Sequence, residues 1–222
     1  MKNPLPTQTV HGCLAEIAKA VGHEHRLQLL ELLAQGGRNV ETLAARCGLT
    51  MANASQHLQQ LRRAGLVSSR RDGKHVLYRL SDPAGTVGLL SALWRVAERN
   101  LAEMAQLQAA YFAARDSLEP VTRAELLDRL REGGTILLDV RQEEEFALGH
   151  LPGAINIPVD ELEHRLAELP PAQEVVAYCR GPYCALAFEA VSALRSRGYS
   201  IRRLEGGFPE WLAAGLPVET AA

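Results

Sequence analysis

Two strand-like runs, Leu66-Val67-Ser68-Ser69-Arg70-Arg71 and His75-Val76-Leu77-Tyr78-Arg79-Leu80, meet at Asp72-Gly73-Lys74. Asp-Gly between such runs is a strong hairpin signal, because glycine reaches the positive φ that a tight turn needs. The hairpin limits what the preceding helices can be. Val40 to Cys47 makes a short helix closed by Gly48, and Thr50 N-caps a further helix that runs to Ala64 and is stopped by Gly65. Short helix, tight turn, second helix and hairpin together predict a mainly α winged helix-turn-helix with the β-hairpin as its wing. Upstream, Leu14, Ile17, Ala18 and Val21 recur at helical spacing, and Leu27, Leu30 and Leu33 continue it past Gly22 until Gly36-Gly37.

Charge gives this half a partner. The wing carries Arg70, Arg71, Lys74 and Arg79 against Asp72, a pattern suited to DNA phosphate. The chain's net charge of -2 hides a division: residues 1–116 hold 14 Lys+Arg against 9 Asp+Glu, net +5, and residues 117–222 hold 10 against 17, net -7. At 222 residues the chain also exceeds the usual single-domain size. Two domains are therefore expected, 1–116 and 121–222, joined by the polar link Asp116-Ser117-Leu118-Glu119-Pro120. From Pro83 a helical pattern reaches about Arg115, with Val87, Leu90, Trp94, Ala97, Leu101 and Met104 at the spacing of a coiled-coil seam. A homodimer would bury that seam, and its twofold symmetry would suit a palindromic double-stranded DNA operator.

The acidic half alternates strands and helices. Thr122 and Glu125 make a capping box before Leu126, Leu127 and Leu130, and Gly133-Gly134 ends that helix. Ile136–Val140, Val175–Tyr178 and Ile201–Leu204 read as buried strands with helical segments between, which predicts an α/β domain on a mainly parallel sheet. Reactive residues in such folds lie at the carboxyl ends of strands. Cys179 follows one strand and precedes the helix from Ala185 to Arg197, a place where backbone N–H groups and a helix start favour thiolate.

The four cysteines, Cys13, Cys47, Cys179 and Cys184, are too few and too unevenly spaced for a secreted disulfide scaffold. No apolar run approaches a membrane span and the N-terminus lacks a signal-peptide core, so the reducing cytoplasm is the expected compartment. Cys47 reads as a core residue of its helix; Cys13 and any pairing of it with Cys47 stay open.

The basic half resembles the ArsR-type winged-helix repressors over about residues 10–110. The resemblance rests on Leu43, Ser55-Gln56-His57-Leu58, Leu61-Arg62-Arg63-Ala64-Gly65-Leu66-Val67 and Gly73-Lys74-His75-Val76-Leu77-Tyr78-Arg79-Leu80. It implies that the helix from Thr50 reads DNA, with Asn53, Ser55, Gln56 and Gln59 able to reach base edges and Arg62 and Arg63 on phosphates. His57 fits packing or a phosphate neighbour better than base reading. The family's usual sensor sites are missing: Asn39-Val40-Glu41-Thr42-Leu43-Ala44 has no cysteine and Asp82 to Arg115 has no histidine. No metal site and no cofactor are expected.

The acidic half resembles the rhodanese domain across residues 120–219. The matching stretches are Leu138-Asp139-Val140-Arg141, Glu145 through Gly149-His150-Leu151-Pro152-Gly153-Ala154 to Pro158, Tyr178-Cys179, Gly206-Gly207-Phe208-Pro209-Glu210-Trp211 and Gly215-Leu216-Pro217-Val218. Asp139, Arg141 and His150 read mainly as supports of the sheet and its loops. The resemblance implies that Cys179 is the catalytic nucleophile that accepts sulfane sulfur as a persulfide. Arg180, Gly181, Pro182, Tyr183, Cys184 and Ala185 form the loop around it, and the backbone N–H groups of that loop, which Pro182 lacks, are expected to stabilise anionic charge on the terminal sulfur. Arg180 adds positive charge for an anionic donor, Pro182 stiffens the loop, and Tyr183 either lines its mouth or packs. Ala185 stands where a phosphatase loop of this fold needs arginine, so phosphoryl transfer is disfavoured. Cys184 either resolves a Cys179 persulfide to a disulfide, or joins Cys179 in gripping arsenite, or never meets Cys179.

The expected whole is a DNA-binding repressor whose rhodanese domain senses reactive sulfur. The rivals are a sulfurtransferase tethered to a DNA-binding module and a thiophilic metalloid sensor.

Overall fold

The computed structural model describes residues 6–107, 110, 120–182 and 184–220. The chain divides into two compact units, residues 1–86 and 87–222.

The first unit opens with α1 (Pro6–Val21), α2 (Glu24–Ala34), the short β1 (Arg38–Asn39), α3 (Val40–Arg46) and α4 (Met51–Arg63). Asn39 caps α3 through the Thr42 N–H at 2.8 Å, and Thr50 caps α4 through the Asn53 N–H at 3.2 Å. Each side-chain oxygen satisfies a donor that the first turn leaves over. Leu29, Leu30, Leu33, Leu43, Ala54, Leu58 and Leu61 are buried at the centre. Then β2 (Val67–Asp72) and β3 (His75–Leu80) pair antiparallel from Val67 opposite Leu80 to Asp72 opposite His75, and β1 joins the far side of β3. Gly73 takes φ 58° at the first residue of the two-residue turn, where an L side chain would be strained.

The division falls between Thr86 and Val87, inside α5 (Pro83–Asn100), and α6 (Ala102–Leu107) follows. The expected unbroken helix is therefore interrupted at Leu101. The Asn100 amide donates to the Val96 carbonyl at 2.8 Å, a local side-chain bond of the kind that competes with the helical ladder. Val87 and Leu90 are buried, whereas Leu93, Val96 and Leu101 are exposed. The rest of the expected seam helix, residues 108–109 and 111–115, and most of the link at 116–119 lie outside the described residues.

Beyond it, α7 (Arg123–Glu132) leads to a four-stranded parallel sheet in the order β5-β4-β6-β7, made by β4 (Thr135–Asp139), β5 (Ile155–Asn156), β6 (Glu174–Tyr178) and β7 (Ile201–Arg203). Between the strands lie α8 (Glu143–Leu148) and α9 (Ala185–Arg195), and α10 (Phe208–Ala213) closes the chain. One apolar cluster joins Leu138, Val175 and Ala177 to Val191 and Leu194 of α9. A second joins Leu137, Val176 and Tyr178 to Leu126, Phe208 and Trp211, so both faces of the sheet are covered. Thr122 caps α7 through the Glu125 N–H, while the Glu125 carboxylate engages Arg129 and Arg202.

Candidate functional site

Val175, Val176, Ala177 and Tyr178 are fully buried, and this strand delivers Cys179, also fully buried, to the carboxyl edge of the sheet. Cys184 is the N-cap of α9 and is half-buried. The two are joined by a disulfide with Cα atoms 6.2 Å apart. Of the sequence alternatives for Cys184, the one in which its sulfur never meets Cys179 is thereby set aside. Gly181 and Pro182 are half-buried between them, and Tyr183 lies outside the described residues.

Arg180 points to Glu145 of α8. Its Nε donates to Oε1 at 2.9 Å and its Nη2 to Oε2 at 2.6 Å, and the Glu145 side chain is fully buried. The charge read from sequence as an anion receptor is thus balanced by a carboxylate 35 positions away. That hydrogen-bonded carboxylate raises the Arg180 guanidinium above its ordinary range.

The loop rests on the start of α10. Phe208 N–H donates to the Cys179 carbonyl at 3.0 Å. A Cβ at Gly207 would stand 2.4 Å from both the Cys179 oxygen and the Gly181 nitrogen, so only glycine allows this approach. Glu210 accepts the Gly207 N–H at 2.9 Å, and burial raises its carboxyl above the ordinary range.

Asp139 and Arg141 are supports. Both are fully buried; Arg141 Nη2 donates to Asp139 Oδ2 at 2.6 Å and to the Gly149 carbonyl at 2.7 Å, and its guanidinium lies 4.4 Å over the Phe208 ring. His150 stacks on Phe146 at 3.6 Å, with its Nδ1 2.9 Å from the Phe146 carbonyl.

In the first unit, α4 shows Asn53, Gln56, Gln59, Arg62 and Arg63 to solvent, with Ser55 half-buried. Arg70, Arg71 and Lys74 are exposed on the wing, and Arg62 Nη1 donates to Ser69 Oγ of β2 at 3.3 Å. His57 turns elsewhere. Its ring lies 4.5 Å from that of His23 and 5.8 Å from that of His25, and its buried Nδ1 has no hydrogen-bond partner among the described residues. Burial first, then the neighbouring His23, Arg26 and His25, holds its imidazole below the ordinary range. Among the described residues no three His, Cys, Asp or Glu side chains are grouped to hold a metal ion. Cys13 is a free, exposed thiol; Cys47 is free and half-buried at the end of α3, raised by burial and by Glu31.

Residues 21–70 match the family described as a helix-turn-helix domain, and residues 122–214 match the rhodanese-like domain. The HTH-type transcriptional regulator Rv0324 of Mycobacterium tuberculosis is 44% identical over 209 residues, covering 94% of this chain and 91% of that protein. The chain belongs to the HTH-type transcriptional regulators. Its second half is a rhodanese-like domain, and there the regulator is also similar to human thiosulfate:glutathione sulfurtransferase, 36% identical over 105 residues, covering 41% of this chain and 91% of that one. Among solved structures, a homodimeric winged helix-turn-helix DNA-binding domain from Mycobacterium bovis is 33% identical, with a TM-score of 0.42, covering 46% of the regulator and 94% of that chain.

Three residues at the regulator's thiol loop escaped the sequence reading of its site: Glu145, Gly207 and Glu210. All three stand inside stretches quoted for the rhodanese resemblance, where nothing local marks a contact with a loop distant in sequence. Glu210 carried no signal, since a glutamate in the first turn of a helix is ordinary.

Proposed function

We propose that this transcriptional regulator is a cytoplasmic, homodimeric repressor that senses reactive sulfur through Cys179 and Cys184. The observation that carries the reading is the disulfide within a six-residue loop at the carboxyl edge of the sheet. In the reduced loop, the Cys179 thiolate attacks the outer sulfur of a sulfane donor, which leaves with the electron pair of the broken S–S bond. The Cys184 thiol then gives up its proton and attacks Cys179 Sγ, forming the disulfide and expelling hydrosulfide, which takes the proton. The dithiol is oxidised and the sulfane sulfur is reduced. Cys184, the more exposed partner, is where a thiol reductant reopens the loop.

Domains 1–116 and 121–222 divide the work. Asn53, Ser55, Gln56 and Gln59 read base edges; Arg62, Arg63, Arg70, Arg71 and Lys74 hold phosphates. Exposed Val10 and Leu14 on α1, with Leu93, Val96 and Leu101, supply apolar surface for a second copy.

The test is DNA affinity. With a duplex selected from a random-sequence pool, the dithiol and polysulfide-treated proteins are expected to differ in Kd, while Cys179→Ser binds equally with and without polysulfide. Equal Kd for the first two forms removes the switch. The likeness to thiosulfate:glutathione sulfurtransferase supports a second reading, in which the domain turns over thiosulfate with a thiol acceptor; Cys179→Ser would then lose turnover and keep unchanged DNA binding. Arsenite added to the reduced protein distinguishes a metalloid grip, since only that grip removes two free thiols without oxidant.

A further inference from the structure

We infer that Glu210 governs how readily the Cys179 loop forms its thiolate, acting as a like charge held against that loop. The placement follows from α10. Its first backbone donor, Phe208 N–H, is fixed to the Cys179 carbonyl at 3.0 Å, and Gly207 lies so close that a Cβ would meet the Cys179 oxygen and the Gly181 nitrogen at 2.4 Å. Three residues into the same turn, Glu210 Oε2 accepts the Gly207 N–H at 2.9 Å, which folds the side chain back toward the loop. Its carboxylate oxygens stand 3.8 and 3.9 Å from where a Gly181 Cβ would be, two residues past Cys179.

A carboxylate beside a thiol makes a second negative charge costly, so the ionised form raises the thiol and the protonated form relieves it. The two groups therefore titrate as a coupled pair. Arg180 does not cancel Glu210, because its guanidinium is shared bidentately with buried Glu145. Burial raises the Glu210 carboxyl above its ordinary range, against the pull of its own backbone N–H and the Gly207 N–H. The role is positioning and electrostatic: Glu210 keeps the thiolate fraction of the reduced loop low.

The inference rests on the reading of Cys179 as the reacting thiol, and its test needs neither DNA nor a sulfur donor. The reduced full-length protein is alkylated with iodoacetamide across a pH series; trypsin cuts after Arg180 and places Cys179 and Cys184 on separate peptides for mass spectrometry. Glu210→Gln keeps the side chain's size and its acceptor oxygen. It is expected to lower the Cys179 alkylation midpoint by about one pH unit, with about tenfold faster alkylation below the midpoint. Glu205→Gln, an exposed carboxylate on the same connection, is expected to match wild type. Coincident midpoints for Glu210→Gln and wild type overturn the proposal. Wild type gives a second reading: its logarithmic rate profile should carry a lower inflection from Glu210, and a single inflection also overturns it. A failed midpoint shift leaves sulfur-dependent DNA binding untouched, and failed sulfur-dependent binding leaves the midpoint shift untouched.

Discussion

Cys179 is fully buried in its bonded form and Cys184 is not, an asymmetry that decides what each can do. If Cys184 resolves a persulfide, its removal traps one. Reduced Cys184→Ser exposed to polysulfide is expected to carry an extra sulfur atom on the Cys179 peptide, where wild type loses two hydrogens to the disulfide; a bare Cys179 thiol in the variant contradicts the sequence of steps. A different residue-scale argument concerns Arg141. It and Asp139 are wholly excluded from water, so Arg141→Met leaves a buried carboxylate without its main partner. The expected loss is about 3–5 kcal/mol in the urea unfolding of the rhodanese-like domain. The sequence motif placed both residues among the supports of the sheet, and their geometry agrees. It could not place Arg180 on Glu145, because an ion pair across 35 positions is fixed by how α8 meets the loop, and no local pattern encodes that.

At the scale of elements, the readable parts are those whose cause is local. The hairpin was legible because Gly73 alone satisfies its turn, and α3 and α4 because Asn39 and Thr50 are short polar caps. β5 was not: two residues, Ile155 and Asn156, become a strand only by pairing with Leu138 and Asp139 and through the Asn156 amide on the Asp139 and Arg141 carbonyls. The joint of α1, α2 and α4 is non-local in the same way. Buried Arg26 donates to the Lys19 and Ala20 carbonyls ending α1 and to Gln60 of α4, while His23 and His25 meet His57 beside it. Because burial and these neighbours lower the His57 imidazole in the fold, the unfolded chain takes up the proton first. The contribution of His57 is therefore full above its ordinary value of about 6.5 and is lost as pH falls from there toward the lowered value. Melting curves between about pH 7.5 and 5.5 should show wild type losing Tm faster than His57→Gln. Parallel losses in the two proteins would mean that the joint does not titrate through His57.

For the whole molecule, the basic and acidic halves have different chemistry, and only free-energy coupling makes them one device. Linkage fixes the form that coupling takes. If closing the Cys179–Cys184 disulfide changes operator Kd by some factor, saturating operator must change the dithiol–disulfide equilibrium by the same factor and in the matching direction. A tenfold change in Kd corresponds to a shift of about 30 mV in the two-electron potential. Equilibrating the protein with a series of thiol–disulfide redox buffers, with and without selected duplex, measures that shift by counting free Cys179 thiol. The form that binds DNA more tightly is the one that DNA is expected to stabilise, so the sign of the shift has to agree with the order of the two Kd values. A potential unmoved by DNA, alongside Kd values that differ between the forms, would break the cycle and point to aggregation or to modification of Cys13 or Cys47 as the source of the affinity change. An unmoved potential with equal Kd values would leave the rhodanese-like domain as an enzyme carried by a DNA-binding module, its thiols reporting to substrate alone.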